Sequence, residues 1–213
     1  MISHVFRFIF VHIPRTGGTS IEHALAGRDW WQIDGKTKHL TASQARIVYA
    51  DYWDDYFKFA FVRSPAERML SCMKFGGVFT IGCQPGCSFA DFLRGYQRRF
   101  GAPVTQEFDD RFHPRHRSNL ALPHSVYRNM LDENLDFIGK FETLNEDFRE
   151  LANRLSFPEQ SLGHHEPSQF MPKSGAFTQE EIDLLYDLFR NDLETYGYQL
   201  PDVGDLPNLS GLS

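Results

Sequence analysis

The chain is expected to be an α/β protein of three layers, with a mostly parallel sheet flanked by helices. Two observations predict this. Apolar runs rich in β-branched and aromatic residues alternate with stretches whose apolar residues fall at helical spacing, without internal repeats or low-complexity tracts. A glycine pair, Gly17-Gly18, also lies directly between the first apolar run and the first helical stretch. In sheets of this kind ligands bind beyond the carboxyl ends of the strands, where such a loop must lie.

Taken in order, residues 5–13 read as a buried strand, carried by Val5, Phe6, Phe8, Ile9, Phe10 and Val11. Ile21, Ala24 and Leu25 form the apolar face of a helix that Gly27 is placed to end. Residues 29–33 read as a short second strand. Thr41 and Gln44 make a capping box that starts a helix running to about Tyr49. Residues 57–62 form an apolar strand broken only by Lys58, and Ser64-Pro65-Ala66-Glu67 supplies a cap, a first-position proline and a third-position acid for the helix after it. Residues 88–100 are amphipathic through Phe89, Phe92, Leu93, Tyr96 and Phe100. Residues 135–141 read as another strand. Thr143 opens a helix bearing Leu144, Phe148, Leu151 and Leu155, and Thr178-Gln179-Glu180-Glu181 caps a last one bearing Ile182, Leu185, Phe189, Leu193 and Tyr196.

The loop His12-Ile13-Pro14-Arg15-Thr16-Gly17-Gly18-Thr19-Ser20 carries the chemistry. Its glycines let backbone N–H groups close on an anion at a helix N-terminus, where the helix dipole also favours negative charge. Thr16, Thr19 and Ser20 add hydroxyls, and Arg15 adds a permanent cation whose fork suits phosphate or sulfate oxygens. This is a phosphate cradle, but of an unusual kind. The nucleoside-triphosphate motif places a lysine after its last glycine, beside a magnesium-binding hydroxyl. Here the cation precedes the glycines and Thr19 stands where that lysine would be.

A second anion site is expected around Arg63 and Ser71. Arg63 ends the 57–62 strand on the same sheet edge as the first loop, and Ser71 lies two turns into the following helix, so both can approach one anion. A further run of bases, Arg94, Arg98, Arg99, Arg111, Arg115 and Arg117 with His113 and His116, divides in two. The first three read as a solvated helix face; the others, in a proline-containing loop, are candidates to line an anionic site.

Composition sets outer bounds. At 213 residues the chain fits a single domain, residues 1–213, with enough apolar content for a covered sheet. A net charge of −6 and a pI near 5.8 argue against a nucleic-acid-gripping protein. Mean hydropathy is −0.41, and no apolar run reaches the roughly 18 residues that span a bilayer. No membrane association is therefore expected, and the N-terminal run, interrupted by His4 and Arg7, reads as a strand rather than a signal peptide. Three cysteines, an odd number, fit a reducing, cytoplasmic setting better than a disulfide framework. Cys83 and Cys87, without a second matched pair, are weak zinc candidates, and His164-His165-Glu166 is no stronger. No metal is assigned.

The strand–PRTGGTS–helix arrangement closely resembles the 5′-phosphosulfate loop of sulfotransferases that use 3′-phosphoadenosine 5′-phosphosulfate (PAPS), which usually carry lysine where this chain has Arg15. The strand ending Val62-Arg63-Ser64-Pro65, followed by Arg68-Met69-Leu70-Ser71, resembles the 3′-phosphate-binding segment of the same family. Residues 136–144 and 177–198 are similar to later segments, so the resemblance covers about residues 5–198 and leaves a short tail, 199–213. Within that family the chain resembles the compact bacterial enzymes related to carbohydrate sulfotransferases. The resemblance implies a P-loop-like sulfotransferase fold, PAPS as co-substrate and adenosine 3′,5′-bisphosphate (PAP) as product. It also implies Arg15, Thr16, Gly17, Gly18, Thr19 and Ser20 at the phosphosulfate, and Arg63 and Ser71 at the 3′-phosphate. One departure is Gly163-His164-His165-Glu166-Pro167-Ser168, with Lys173 beyond, where relatives often carry a basic or asparagine-containing loop.

Transfer to a hydroxyl needs a base and help for the departing charge. His39 is the base of choice among nine histidines, because imidazole titrates near working pH. Its segment, Lys36-Thr37-Lys38-His39-Leu40-Thr41, resembles the catalytic-histidine segment of carbohydrate 2-O-sulfotransferases. His12 is expected to fix the strand end, with His113, His116 and His165 in reserve. Arg15 and the loop N–H groups would neutralise charge on the bridging oxygen. The acceptor is expected to be a sugar or small metabolite. Two other readings are an ATP-dependent small-molecule kinase and a non-catalytic protein that binds PAPS or PAP.

Overall fold

The computed structural model describes residues 1–74, 86–100, 126–158, 162 and 176–204, the side chains of 99 and 100 excepted. Arg111, Arg115, Arg117, His113, His116, Cys83, residues 163–168 and Lys173 lie outside the described residues.

The described backbone falls into two compact units, one holding residues 1–63 and 129–158 and the other 64–74, 86–100, 126–128 and 176–204. The first unit contains a four-stranded sheet, β1 (Ile2–Ser3), β2 (Phe8–Val11), β3 (Phe57–Val62) and β4 (Phe137–Lys140), in that spatial order. β2 pairs parallel with β3, and β3 with β4; β1 is an antiparallel edge. The same unit carries helices α1 (Gly18–Ala26), α2 (Trp31–Asp34), α3 (Ala42–Val48) and α4 (Ala50–Trp53), and, after β4, α8 (Leu144–Arg154). The result is a mixed α/β fold.

The expected strand over 5–13 is shorter than the apolar run. Residues 4–7 turn instead, Arg7 takes a left-handed φ of 51°, and Val5 is exposed. That turn folds Ile2–Ser3 back onto Phe8–Ile9 as a hairpin, which the run of apolar residues concealed. Residues 29–33 are a second correction. They begin the short helix α2, not a strand, because Asp29 Oδ1 accepts the Trp31 N–H (2.7 Å) and turns the chain. The 57–62 strand and the Thr41 capping box occur as expected.

Parallel strands are buried on both faces, and β2 and β3 show why they can be. Phe8, Phe10, Phe59 and Phe61 share one face by the two-residue period of a strand. They form a core with Ile21 and Ala24 of α1 and Phe148, Leu151 and Ala152 of α8. Phe10 stacks on Phe59 with ring centres 4.8 Å apart.

The second unit contains α5 (Pro65–Cys72), α6 (Phe89–Phe100), the start of α7 (Tyr127–Met130) and α9 (Gln179–Tyr196). Pro65 occupies the first turn of α5 as expected, although the Ser64 side chain makes no capping bond. Thr178 and Glu181 form the capping box of α9. Phe89, Phe92, Leu93 and Tyr96 are buried on α6, while Arg94 and Arg98 lie on its solvated side; Arg94 pairs with Asp91 and Glu180. Cys72 is a buried thiol and Cys87 is disulfide-bonded, which departs from the expectation of reduced cysteines.

Candidate functional site

The loop after β2 leaves the sheet at the carboxyl end of the strand, and Gly17 turns it into α1 with a φ of 82° that an L side chain rarely adopts. Gly18 is required by close approach. A Cβ there would sit 2.1 Å from His12 Nε2, so the imidazole lies flat against the start of the helix. No side chain caps α1, and its first turn holds no acid. The first N–H groups of a helix have no partner within it, and no acid on this first turn opposes an anion. Thr19 and Ser20 lie on this first turn, and Arg15 is half-buried with a left-handed φ of 70°. Thr16 is fully buried, and its hydroxyl donates to the Ile13 carbonyl at 2.8 Å, which braces the loop. The donor set fits a phosphate or sulfate group.

Arg63 follows β3 at the same sheet edge. It is buried, and its guanidinium lies 4.1 Å from the centre of the Phe141 ring. The same ring would stand 3.1 Å from a Cβ on Gly17. One phenyl group therefore touches both the cradle and Arg63. Sequence reasoning ran Phe141 into a strand. In the structure β4 stops at Lys140, and a 3₁₀ turn over Phe141–Thr143 places the ring against the loop. Ser71 is buried on α5, in the second unit.

His39 is held beside the cradle by His12. Its Nδ1–H donates to the His12 carbonyl at 3.0 Å, and the two rings meet edge to face at 4.6 Å. A carbonyl only accepts, so Nδ1 carries the proton and the lone pair of the neutral ring is on Nε2. One imidazole separates His39 from Gly18. Trp31, half exposed, stands edge to face with His39 on another side, ring centres 5.7 Å apart.

Beneath these groups lies a charge cluster that sequence reasoning missed. Glu22, on the second turn of α1, is fully buried. Its Oε1 accepts from His12 Nδ1 (2.5 Å), and its Oε2 from the Trp30 N–H (3.0 Å) and the Lys38 ammonium (2.9 Å). Lys38 also meets Asp29 at 2.7 Å. Burial works to raise the Glu22 carboxyl, but the His12 contact, the Trp30 N–H and Lys38 outweigh it and hold it at about 2, below the ordinary 4.5. Burial pushes the His12 imidazole below its ordinary 6.5, against Glu22, which favours the charged form. The ring is therefore neutral at pH 7 and grips Glu22 as an N–H donor, while Lys38 carries the positive charge. The one available sequence signal was an acid, Glu22, in a helix that otherwise begins without one.

Among the described residues no group of three or more His, Cys, Asp or Glu side chains could hold a metal ion, and no helix is long and apolar enough to cross a membrane. No curated protein and no solved structure matches the chain. The family model of the sulfotransferases matches residues 1–199, which include the cradle, His39, Arg63 and Ser71. The chain belongs to the sulfotransferase family, and that membership implies PAPS as its sulfate donor.

Proposed function

We propose that this sulfotransferase moves a sulfuryl group to the hydroxyl of a sugar or small-metabolite acceptor, with His39 as general base. The observation that carries this reading is the fixed imidazole beside the cradle: His39 Nδ1–H donates to the His12 carbonyl, so in the neutral ring the basic nitrogen is Nε2. PAPS, when bound, supplies the sulfuryl group and departs as PAP. Nε2 of His39 takes the proton of the acceptor hydroxyl as the acceptor oxygen bonds to sulfur. Arg15 and the N–H groups at the start of α1 hold the negative charge that gathers on the 5′-phosphate as its bond to sulfur breaks. A phosphate leaves as a weak base, so no proton donor is needed there, and arginine could not be one. The motif assigns Arg63 and Ser71 to the 3′-phosphate. Phe141 supports this for Arg63, because the ring that its guanidinium lies over also touches the loop.

Incubation with labelled PAPS and a panel of sugars and small alcohols, read by mass spectrometry, tests the reaction; a sulfated product is expected, and donor hydrolysis alone would contradict it. Calorimetry tests the donor site. A charge-assisted contact contributes about 1.5–3 kcal/mol, roughly ten- to a hundredfold in affinity. PAP should bind more tightly than adenosine 5′-monophosphate by that factor, and Arg63→Ala should erase most of the preference. Equal binding of both nucleotides by the unaltered protein would remove the 3′-phosphate site.

A further inference from the structure

We propose that Glu22 is a positioning residue: its buried carboxylate fixes the orientation and tautomer of His39 and ties the proposed base to the helix that opens the anion cradle. The proposal rests on the reading of His39 as base, but its geometry does not.

Glu22 never touches His39. It acts through two arms that converge on it. The first arm is His12. Glu22 Oε1 holds the His12 imidazole at 2.5 Å, and the His12 carbonyl takes the Nδ1–H of His39 at 3.0 Å. The second arm is the chain that delivers His39. Glu22 Oε2 holds the Trp30 N–H and the ammonium of Lys38, the residue next to His39. Asp29 closes this arm by meeting Lys38 through Oδ2 (2.7 Å) and the Trp31 N–H through Oδ1 (2.7 Å). Trp30 Nε1–H adds a bond to Thr37 (2.9 Å), so residues 29–38 form a closed loop around one carboxylate.

The placement of Glu22 gives this cluster its consequence. It lies four residues beyond Gly18 on the same short helix, α1. The His12 ring it grips fills the space that Gly18 leaves empty. The helix that presents its N-terminus to an anion therefore also holds the base. A buried ion pair is weak evidence for stability, because desolvation offsets its attraction. Its best-attested use is to specify one arrangement among several, and here the arrangement specified is that of a catalytic ring.

The test uses the intact protein. Long-range proton–nitrogen NMR of histidine-labelled protein reports the tautomer of His39, its signals assigned by their loss in His39→Ala. The unaltered protein should show His39 protonated at Nδ1 alone when neutral. In Glu22→Gln a second tautomer should appear, turnover should fall roughly ten- to a hundredfold, as small misplacements of a catalytic group do, and the apparent KM for PAPS should hold. If Glu22→Gln does not fold, the double variant Glu22→Gln/Lys38→Met, which removes both buried charges together, is read in the same way. A single Nδ1–H tautomer at His39 in a folded variant overturns the proposal, whatever the turnover. Unchanged turnover in His39→Ala overturns the base reading instead, and the tautomer result then still decides whether Glu22 orients that ring.

Discussion

Each unit of this protein buries a carboxylate beside a cation, and the two clusters are built for different work. In the first, Glu22 is met directly by an imidazole N–H, a backbone N–H and an ammonium, and it sits well below the ordinary carboxylate range. In the second, Asp192 on α9 accepts the backbone N–H of Tyr127 (2.8 Å) and of Arg128 (3.4 Å), while burial raises its carboxyl above the ordinary value against those bonds and the charge of Arg68. Arg68 is fully buried on α5, over the Tyr127 ring at 4.9 Å. Burial opposes its charge, yet the groups around it, Tyr96 and Tyr127 foremost, shift the guanidinium above its ordinary value, and an arginine stays charged at any working pH. The Asp192 cluster joins a chain segment to a helix. The Glu22 cluster reaches a ring at the candidate site. Burial and charge alone do not separate a structural joint from a positioning device; what the hydrogen bonds end on does.

The sharpest contrast between the clusters is expected in activity. His39→Ala, which removes what the first cluster delivers, should lower turnover by roughly two to four orders of magnitude, the usual scale for loss of a general base. Calorimetric affinity for PAP should be preserved. Near-normal turnover with a good acceptor would mean that the ring the first cluster holds is not the base.

A smaller effect, on stability, is expected from the second cluster. Asp192→Ala leaves the Tyr127 and Arg128 N–H groups without their acceptor, at a cost of roughly 1–3 kcal/mol, and the melting temperature should fall accordingly. An unchanged melting temperature would show that those N–H groups find water instead.

Acid should divide the clusters by sign. Glu22 is lowered from 4.5 to about 2, so its contribution is complete above pH 4.5 and is lost as pH falls towards 2. Asp192 is raised above 3.8, so its ionisation weakens the folded state and protonation relieves that cost. Melting curves between pH 5 and 2 should therefore flatten in Glu22→Gln. They should keep their acid decline in Asp192→Asn. Identical curves for both variants would erase the distinction.

The least change is expected on removing metal. Arg15 supplies a fixed cation where a triphosphate site would use lysine and magnesium, so transfer should survive dialysis against a strong chelator. Loss of activity restored by magnesium alone would favour the kinase reading.

Where the sequence could be read directly, the cause was local. The Thr41–Gln44 and Thr178–Glu181 capping boxes, the Gly27 stop and the turn at Gly17 each depend on residues within four positions. The 57–62 strand was legible because burial on both faces requires a continuous apolar run. The hairpin at residues 2–9 and the helix over 31–34 were not. In the first a run of the right composition turned back on itself, and in the second one aspartate side chain redirected the backbone.

The sequence by itself determined the turn from β2 into α1, because a glycine that takes a positive φ and a helix start are written in consecutive residues beside Arg15. It also marked His39 as the candidate base, though only by chemistry and resemblance. Tertiary structure alone decided how that histidine is held. His12, Glu22, Lys38 and His39 come from a strand end, a helix and a loop, and contacts across ten to twenty-seven positions leave no periodicity to read. Phe141 shows the same limit. Its ring could serve Arg63 and Gly17 together only once β4 had been laid beside β3, since such a pairing depends on where the sheet puts residues and not on their order in the chain.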